Sequence, residues 1–189
     1  AGCRACYLPE LYEAETNAAE NFARMCRRTF RDKANIANLL TKLEAQQGIS
    51  YAPMQRQTLE LALKNQLLVI TGGPGTGKTT SIRAILAMFD EIGIKTLLCA
   101  PTGRAAKRMT ELTGRDAATV HRMLGAKFDE DNDRVVFTKD ESDRLDCDAV
   151  ILDECSMVDI CLMDALLRAL PPDARLIMVG DADQLPSVG

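Results

Sequence analysis

The sequence predicts an α/β domain, a parallel sheet flanked by helices, preceded by a short helical segment. Three observations carry this expectation. From residue 67 onward, short apolar runs rich in branched residues alternate with amphipathic stretches of helical period; parallel strands joined by right-handed crossovers satisfy that rhythm. A glycine-rich segment, Gly72 to Gly77, lies between the first apolar run and the first helical stretch. The 189 residues are 47% hydrophobic and 26% charged, enough for one packed core and far from the composition of a disordered chain.

Ahead of the sheet, Ala18, Phe22, Met25 and Cys26 recur at helical spacing after Glu13, and Ile36, Leu39, Leu40 and Leu43 repeat the pattern up to Gly48. Two helices packed on each other are expected over residues 1–50. The boundary with a second unit, 51–189, falls at Gly48–Ala52, because Pro53 suits the first position of a helix running through Met54, Leu59, Ala62 and Leu63. Strands are expected at 67–71 (LLVIT), 95–100 (KTLLCA), 148–153 (DAVILD) and 174–181 (ARLIMVGD), with helices at about 78–92, 103–113, 118–124 and 159–170. The stretch from Lys127 to Asp148, with nine acidic residues and a VVF triplet, interrupts the alternation and reads as a surface hairpin.

No apolar run reaches the length of about 18 residues that a membrane helix needs, and the amino end, with Arg4, Glu10, Glu13 and Glu15, lacks a signal-peptide core. A soluble, cytoplasmic protein with no membrane partner is expected. The formal charge of −4 conceals an uneven distribution: residues 1–50 carry +1, residues 51–128 carry +6 and residues 129–189 carry −11. The basic middle suits phosphate-rich ligands and the acidic end suits metal chemistry and solvated loops. Seven scattered cysteines, an odd number, argue against a disulfide framework and read as buried free thiols. Cys3 and Cys6 form a lone CxxC, and with His121 the only histidine a closed zinc site lacks ligands. The chain begins without methionine and stops at Gly189 just after a motif-rich turn, so it reads as an excerpt of a longer protein.

The strongest chemical signal is Gly72-Gly73-Pro74-Gly75-Thr76-Gly77-Lys78-Thr79, with Thr80 following, placed after a strand and opening a helix. Glycines let backbone N–H groups surround phosphate oxygens, Lys78 neutralises the β/γ charge, and the Thr79 hydroxyl is suited to magnesium. Such a site needs one carboxylate to hold the metal and another to polarise water. Asp153 and Glu154, at the end of the apolar run 149–152, supply both, unless either merely caps a helix. Gln184, in the turn after the last strand, is a candidate γ-phosphate sensor; an ordinary turn is the alternative. Gln55 either bridges an adenine edge with its amide or is a helix-surface glutamine, and spacing leaves both open. Thr102 and Arg104, at a strand-to-helix turn, and Thr119, His121 and Arg122 form two polar and basic clusters suited to nucleic-acid phosphates, with a solvated helix face as the alternative.

Taken together, Gln55, GGPGTGKTT at 72–80, APTGRAAKRM at 100–109, TVHRML at 119–124, DECSMVD at 153–159 and VGDADQLPSVG at 179–189 resemble motifs Q, I, Ia, Ib, II and III of superfamily 1 DNA helicases. The resemblance is to the RecD-like branch, which includes the alpha chain of exodeoxyribonuclease V, and it runs from about residue 49 to 189; CYLPELYEAE near the start is similar to the segment leading into that branch's core. It implies a RecA-like first motor domain, ATP hydrolysis with Mg2+ and 5′ to 3′ translocation on single-stranded DNA. It also implies other subunits of a nuclease–helicase complex as partners, a question the sequence leaves open. Cys155 departs from the alanine common after the acidic pair, and motifs IV to VI, with their arginines, are not within these residues. A guanine-selective NKxD, which a GTPase switch would need, is missing too. An ATP-binding scaffold without motor activity is the remaining rival, and it has no need of a water-polarising Glu154.

Overall fold

The computed structural model describes residues 8–30, 36–73, 75–130 and 133–181. Three helices come first, α1 (Pro9–Cys26), α2 (Ile36–Gln47) and α3 (Pro53–Lys64), followed by β1 (Leu67–Thr71), α4 (Lys78–Glu91), β2 (Thr96–Ala100), α5 (Gly103–Thr113), β3 (Ala117–Thr119) and the single turn α6 (Val120–Met123). A hairpin of β4 (Ala126–Asp129) and β5 (Arg134–Phe137) precedes β6 (Ala149–Leu152), a 3₁₀ turn (Cys155–Met157), α7 (Ile160–Ala169) and β7 (Arg175–Gly180).

Five strands form one sheet in the order β1-β7-β6-β2-β3, every pair parallel. Side chains alternate between two apolar clusters: Ala149, Ile151, Ile177 and Val179 join α2, α3, α4 and α5 on one face, while Val150, Leu152 and Leu176 join α1, α6 and α7 on the other. A sheet covered on both faces needs apolar residues at successive positions, which is why the strands read as continuous runs. Met88, Phe89 and Ile85 of α4 are wholly buried, each contributing about 1.5–3 kcal/mol. Among the described residues, no helix is long and apolar enough to cross a membrane.

Three expectations are corrected. The first two helices do not form a pair of their own: Ala18 and Met25 of α1 belong to the cluster beneath α7, and Leu39, Leu40 and Leu43 of α2 belong to the opposite one. Periodicity defines a helix's apolar face but says nothing about what covers it. The helix expected at 118–124 is instead a short strand followed by one helical turn, because Ala117–Thr119 pair with Leu98–Ala100 at the sheet edge; two alanines carry no strand signal, and pairing decides. Buried thiols are found at Cys99 and Cys147, where burial pushes the Cys99 thiol far up and that of Cys147 to about 11. Cys26 and Cys161, however, are exposed, each one residue from a buried neighbour, Met25 or Leu162, on its helix. Cys3 and Cys6 lie outside the described residues.

The expected surface hairpin is present, with Ala126 opposite Phe137 and Asp129 opposite Arg134. Near the boundary at 48–52, the backbone N–H of Tyr51 donates to Glu44 at 2.7 Å and Arg56 pairs with the same carboxylate, so α2 is tied to the start of α3. Those contacts, the Tyr51 N–H first, hold the Glu44 carboxyl below its usual range.

Candidate functional site

Because all five strands are parallel, their carboxyl ends share one rim, and every loop leaving Thr71, Ala100, Thr119, Leu152 and Gly180 opens on it. The loop after β1 turns into α4 through Gly77, whose φ of +87° lies in the left-handed region and leaves the first amides of α4 directed at the rim. Lys78 lies back across its own loop: its Nζ donates to the Gly72 carbonyl and, at 3.3 Å, to that of Gly73, and stands 3.9 Å from Asp181 Oδ2. The Thr76 hydroxyl donates to the Gly73 carbonyl at 2.9 Å.

From β6 the chain delivers Asp153 and then Glu154, whose φ of 53° and ψ of 40° are left-handed. That conformation costs about 1–2 kcal/mol in a residue with a Cβ. Its backbone N–H donates to Asp153 Oδ1 at 2.9 Å, which orients the Asp153 carboxylate. Gly180, at the end of β7, makes room for the 3₁₀ turn that follows β6: a Cβ there would stand 2.8 Å from Cys155 Sγ.

Gly73, Gly75 to Thr79, Asp153, Glu154 and Asp181 line one cleft of about 340 Å³, with Arg108 and Leu112 of α5 on its other wall. Burial raises the Asp153 carboxyl, Glu154 adds to the rise, and the charges of Lys78 and Arg108 partly offset it. Among the described residues no group of three or more His, Cys, Asp or Glu stands ready to hold a metal. The Thr79 hydroxyl and the Asp153 carboxylate line the same cleft, a donor set that fits magnesium carried by a nucleotide, an ion that takes one or two protein oxygens and completes its shell from phosphates and water.

A second groove, of about 390 Å³, lies on the other side of Thr76, Gly77 and Lys78, lined by Gln55, Met54, Leu61 and Val69 among others. Gln55 is not a plain surface glutamine, since its Oε1 accepts the Ala52 N–H at 2.9 Å and caps α3. Its position is thereby fixed with the amide donors still available. Thr80 stands apart, on the far side of α4, in a cleft of about 610 Å³ with Ile49, Tyr51 and Arg83. Pro74 and Gln184 lie outside the described residues.

Thr102 caps α5 by accepting the Ala105 N–H at 3.2 Å, and Thr119 caps α6 by accepting the Arg122 N–H at 3.1 Å. Both hydroxyls keep a proton to donate. Arg104, His121 and Arg122 are exposed beside them, and the His121 ring lies 5.9 Å from that of Phe137, linking α6 to the hairpin. Among the described residues Arg104 has no carboxylate partner, unlike Arg115, which pairs with Asp90, and Arg168, which pairs with Glu141. Sequence reasoning missed Asp181 and Arg108. Asp181, 6% exposed, was visible as the acid directly after the last strand; Arg108 had no signal beyond lying four residues after Arg104.

The raised Asp153 carboxyl has a consequence for stability. The native state binds this proton more tightly than the unfolded chain, so stability falls as pH rises through the carboxylate range, and above it the ionised group remains a cost. Without magnesium, Asp153→Asn is expected to raise the melting temperature by a few degrees near neutral pH. Calorimetry on both proteins should show the gap closing as pH falls toward about 4; a gap constant with pH contradicts the assignment.

A glycine loop at a helix start, a lysine within it and paired carboxylates on the neighbouring strands define a P-loop nucleoside-triphosphate site. Comparison with known proteins agrees: the chain belongs to the AAA domain family, whose description matches residues 55–189, and it is a motor domain of the RecD-like superfamily 1 type. It is 38% identical over 182 residues to the ATP-dependent RecD2 DNA helicase of Deinococcus radiodurans, covering 96% of this chain and 24% of that protein. It is 41% identical over 157 residues to the RecBCD enzyme subunit RecD of Mycobacterium tuberculosis, covering 71% of this chain and 26% of that one. The Pif1 helicase of Candida albicans superposes with a TM-score of 0.51 at 25% identity, over 75% of this chain and 34% of its own. A second Pif1 structure, of two coordinating helicases at forked double-stranded DNA, shares the fold with a TM-score of 0.55 at 23% identity, over 75% of this chain and 36% of its own. The chain thus spans about a quarter of the length of these two curated relatives.

Proposed function

We propose that this chain is the nucleotide-binding motor domain of an ATP-dependent DNA helicase, residues 51–189 forming the motor and residues 1–50 a helical segment packed on it. The observation that carries the reading is the shared rim: the phosphate loop, the Asp153–Glu154 pair and the basic starts of α5 and α6 all open on the same edge of one sheet. Lys78 leaves the Gly72 and Gly73 carbonyls for the β- and γ-phosphates, whose oxygens also meet the loop amides. Thr79 and Asp153 would hold magnesium, which would supply charge neutralisation between those phosphates. Glu154, which follows Asp153 at the strand end, takes up a proton from the attacking water. Gln55 positions the base end in the neighbouring groove, and Gln184 senses the γ-phosphate. Opposing arginines come from another part of the parent protein. Stepping on a strand, 5′ to 3′, follows from cycles of closure around the nucleotide. A parent acting with other subunits, as the name of the mycobacterial relative indicates for that protein, is compatible with this arrangement.

Thr102, Arg104, Thr119, His121 and Arg122 hold single-stranded DNA by its phosphates in this reading. Binding should then be insensitive to sequence and weaken with salt, with a slope of about −0.7 per neutralised phosphate. Arg104→Ala is expected to weaken unrelated oligonucleotides about equally and to make that slope shallower by somewhat under one phosphate, with ATP affinity little changed. Salt titrations of strand binding by both proteins check this; matching slopes and affinities remove Arg104 from the DNA path.

A further inference from the structure

α5 is basic along one face, and the two ends of that face meet different surroundings. Arg104, in the first turn, is exposed beside the Thr102 cap at the sheet rim. Arg108, four residues on and therefore on the same face about 6 Å further along the axis, lines the phosphate cleft together with Leu112 one turn later. The opposite face, through Ala106 and Met109, is buried, so the helix moves as a unit with the sheet edge it covers.

Three carboxylates, Asp153, Glu154 and Asp181, share that cleft, yet among the described residues none is within ion-pair distance of Arg108. Lys78 is the cation engaged there, with its own loop carbonyls and Asp181. The guanidinium of Arg108 thus stands in the cleft with no ion pair or hydrogen bond among the described residues, its charge acting on the Asp153 carboxylate from beyond ion-pair distance. It lines the cleft of the acidic pair, where its charge reaches Asp153, and it takes no part in the groove of Gln55 and Val69 at the other side of the loop. It therefore faces where a nucleotide's outermost phosphate and metal would lie, away from the base. A planar guanidinium offers paired donors that match phosphate oxygens.

We propose that Arg108 binds the terminal phosphate of the nucleoside triphosphate across the cleft from Lys78, making α5 the element through which the presence of that phosphate is felt at Arg104. The proposal rests on the nucleotide-site reading above. It adds to that reading a cation supplied by this domain itself and a mechanical link: when the phosphate draws Arg108 in, the first turn of the same rigid helix shifts with it.

The test compares the chain with its Arg108→Ala and Arg108→Lys variants, titrated with a non-hydrolysable ATP analogue and with ADP, both with magnesium, and with a fluorescent single strand in the presence and absence of the analogue. Arg108→Ala is expected to weaken the triphosphate about tenfold to a hundredfold, the scale of one charged hydrogen-bonding contact, and the diphosphate by less than about threefold. Arg108→Lys should recover part of the loss, as a point charge without the paired donors. Strand affinity without nucleotide should be unchanged, while its response to the triphosphate should shrink. Equal losses for both nucleotides, no loss for either, or weakened strand binding in the absence of nucleotide would each overturn the proposal. Failure of the underlying reading looks different: the unsubstituted chain would then bind neither nucleotide.

Discussion

In the parent protein, Glu154→Gln is expected to bind magnesium-ATP with nearly unchanged affinity and to hydrolyse it about 10² to 10⁴ times more slowly, the range that a positioned general base supplies. The substitution keeps the size and the planar head of the side chain, so the left-handed backbone at residue 154 and its N–H bond to Asp153 are retained. What disappears is the acceptor for the water proton. Asp153, Thr79 and the loop amides, to which the proposed function assigns metal and phosphates, are untouched. Equilibrium binding together with single-turnover hydrolysis separates the two quantities. Normal hydrolysis by the variant would mean that another group polarises the water, and parallel losses in binding and rate would mean that Glu154 helps hold the nucleotide.

Lys78→Ala fails earlier in the cycle. Its ammonium is the charge nearest the loop carbonyls of Gly72 and Gly73 and is close to Asp181, so its removal leaves the β- and γ-phosphates facing carboxylates with less compensation. Affinity for ATP is expected to fall about tenfold to a hundredfold. The rate of the bound nucleotide should fall by a further factor of about 10² to 10³, as when one donor to a developing negative charge is removed. Saturating the variant with ATP distinguishes the two contributions: a rate restored at saturation assigns Lys78 to binding alone. Circular dichroism and melting curves must accompany the assay, because Lys78 also ties down its loop.

How much of this was legible in the sequence depended on whether the signal was local. The strands β6 and β7 are buried on both faces and β1 and β2 are largely apolar, so each announced itself as a branched apolar run ending within a residue of the expected position. The phosphate loop and the acidic pair were legible because backbone geometry demands glycine and a strand end demands a turn. β3 was hidden, since Ala117–Thr119 become a strand only because β2 has an unpaired edge to offer. The capping bond of Gln55 was hidden as well, because the hydrogen-bond partner of an amide is a matter of a few tenths of an ångström. Arg108 could be placed on the face of Arg104 by counting, but only the packing of Ala106 and Met109 turns part of that face toward the cleft. Asp181, supplied by the structure, stands three positions before Gln184, which was chosen from the sequence and lies outside the described residues, and apolar patterning ranks neither above the other.

The separation of α1 and α2 onto opposite faces of the sheet bears on the order in which the molecule can form. α1 is complete by Cys26, yet α7, against which it packs, begins at Ile160. During synthesis at about 5–20 residues per second, the apolar side of α1 waits on the order of ten seconds for its cover. α2 finds α4 much sooner, so one half of the core can condense while the other is still unmade. Contacts this distant along the chain slow folding and lengthen exposure to wrong partners. Residues 8–30 are thus the first part of the described chain to be made and among the last to be secured, and it is in a nascent or heat-stressed chain, rather than in the finished motor, that their amphipathic surface is most open to chaperone capture or aggregation.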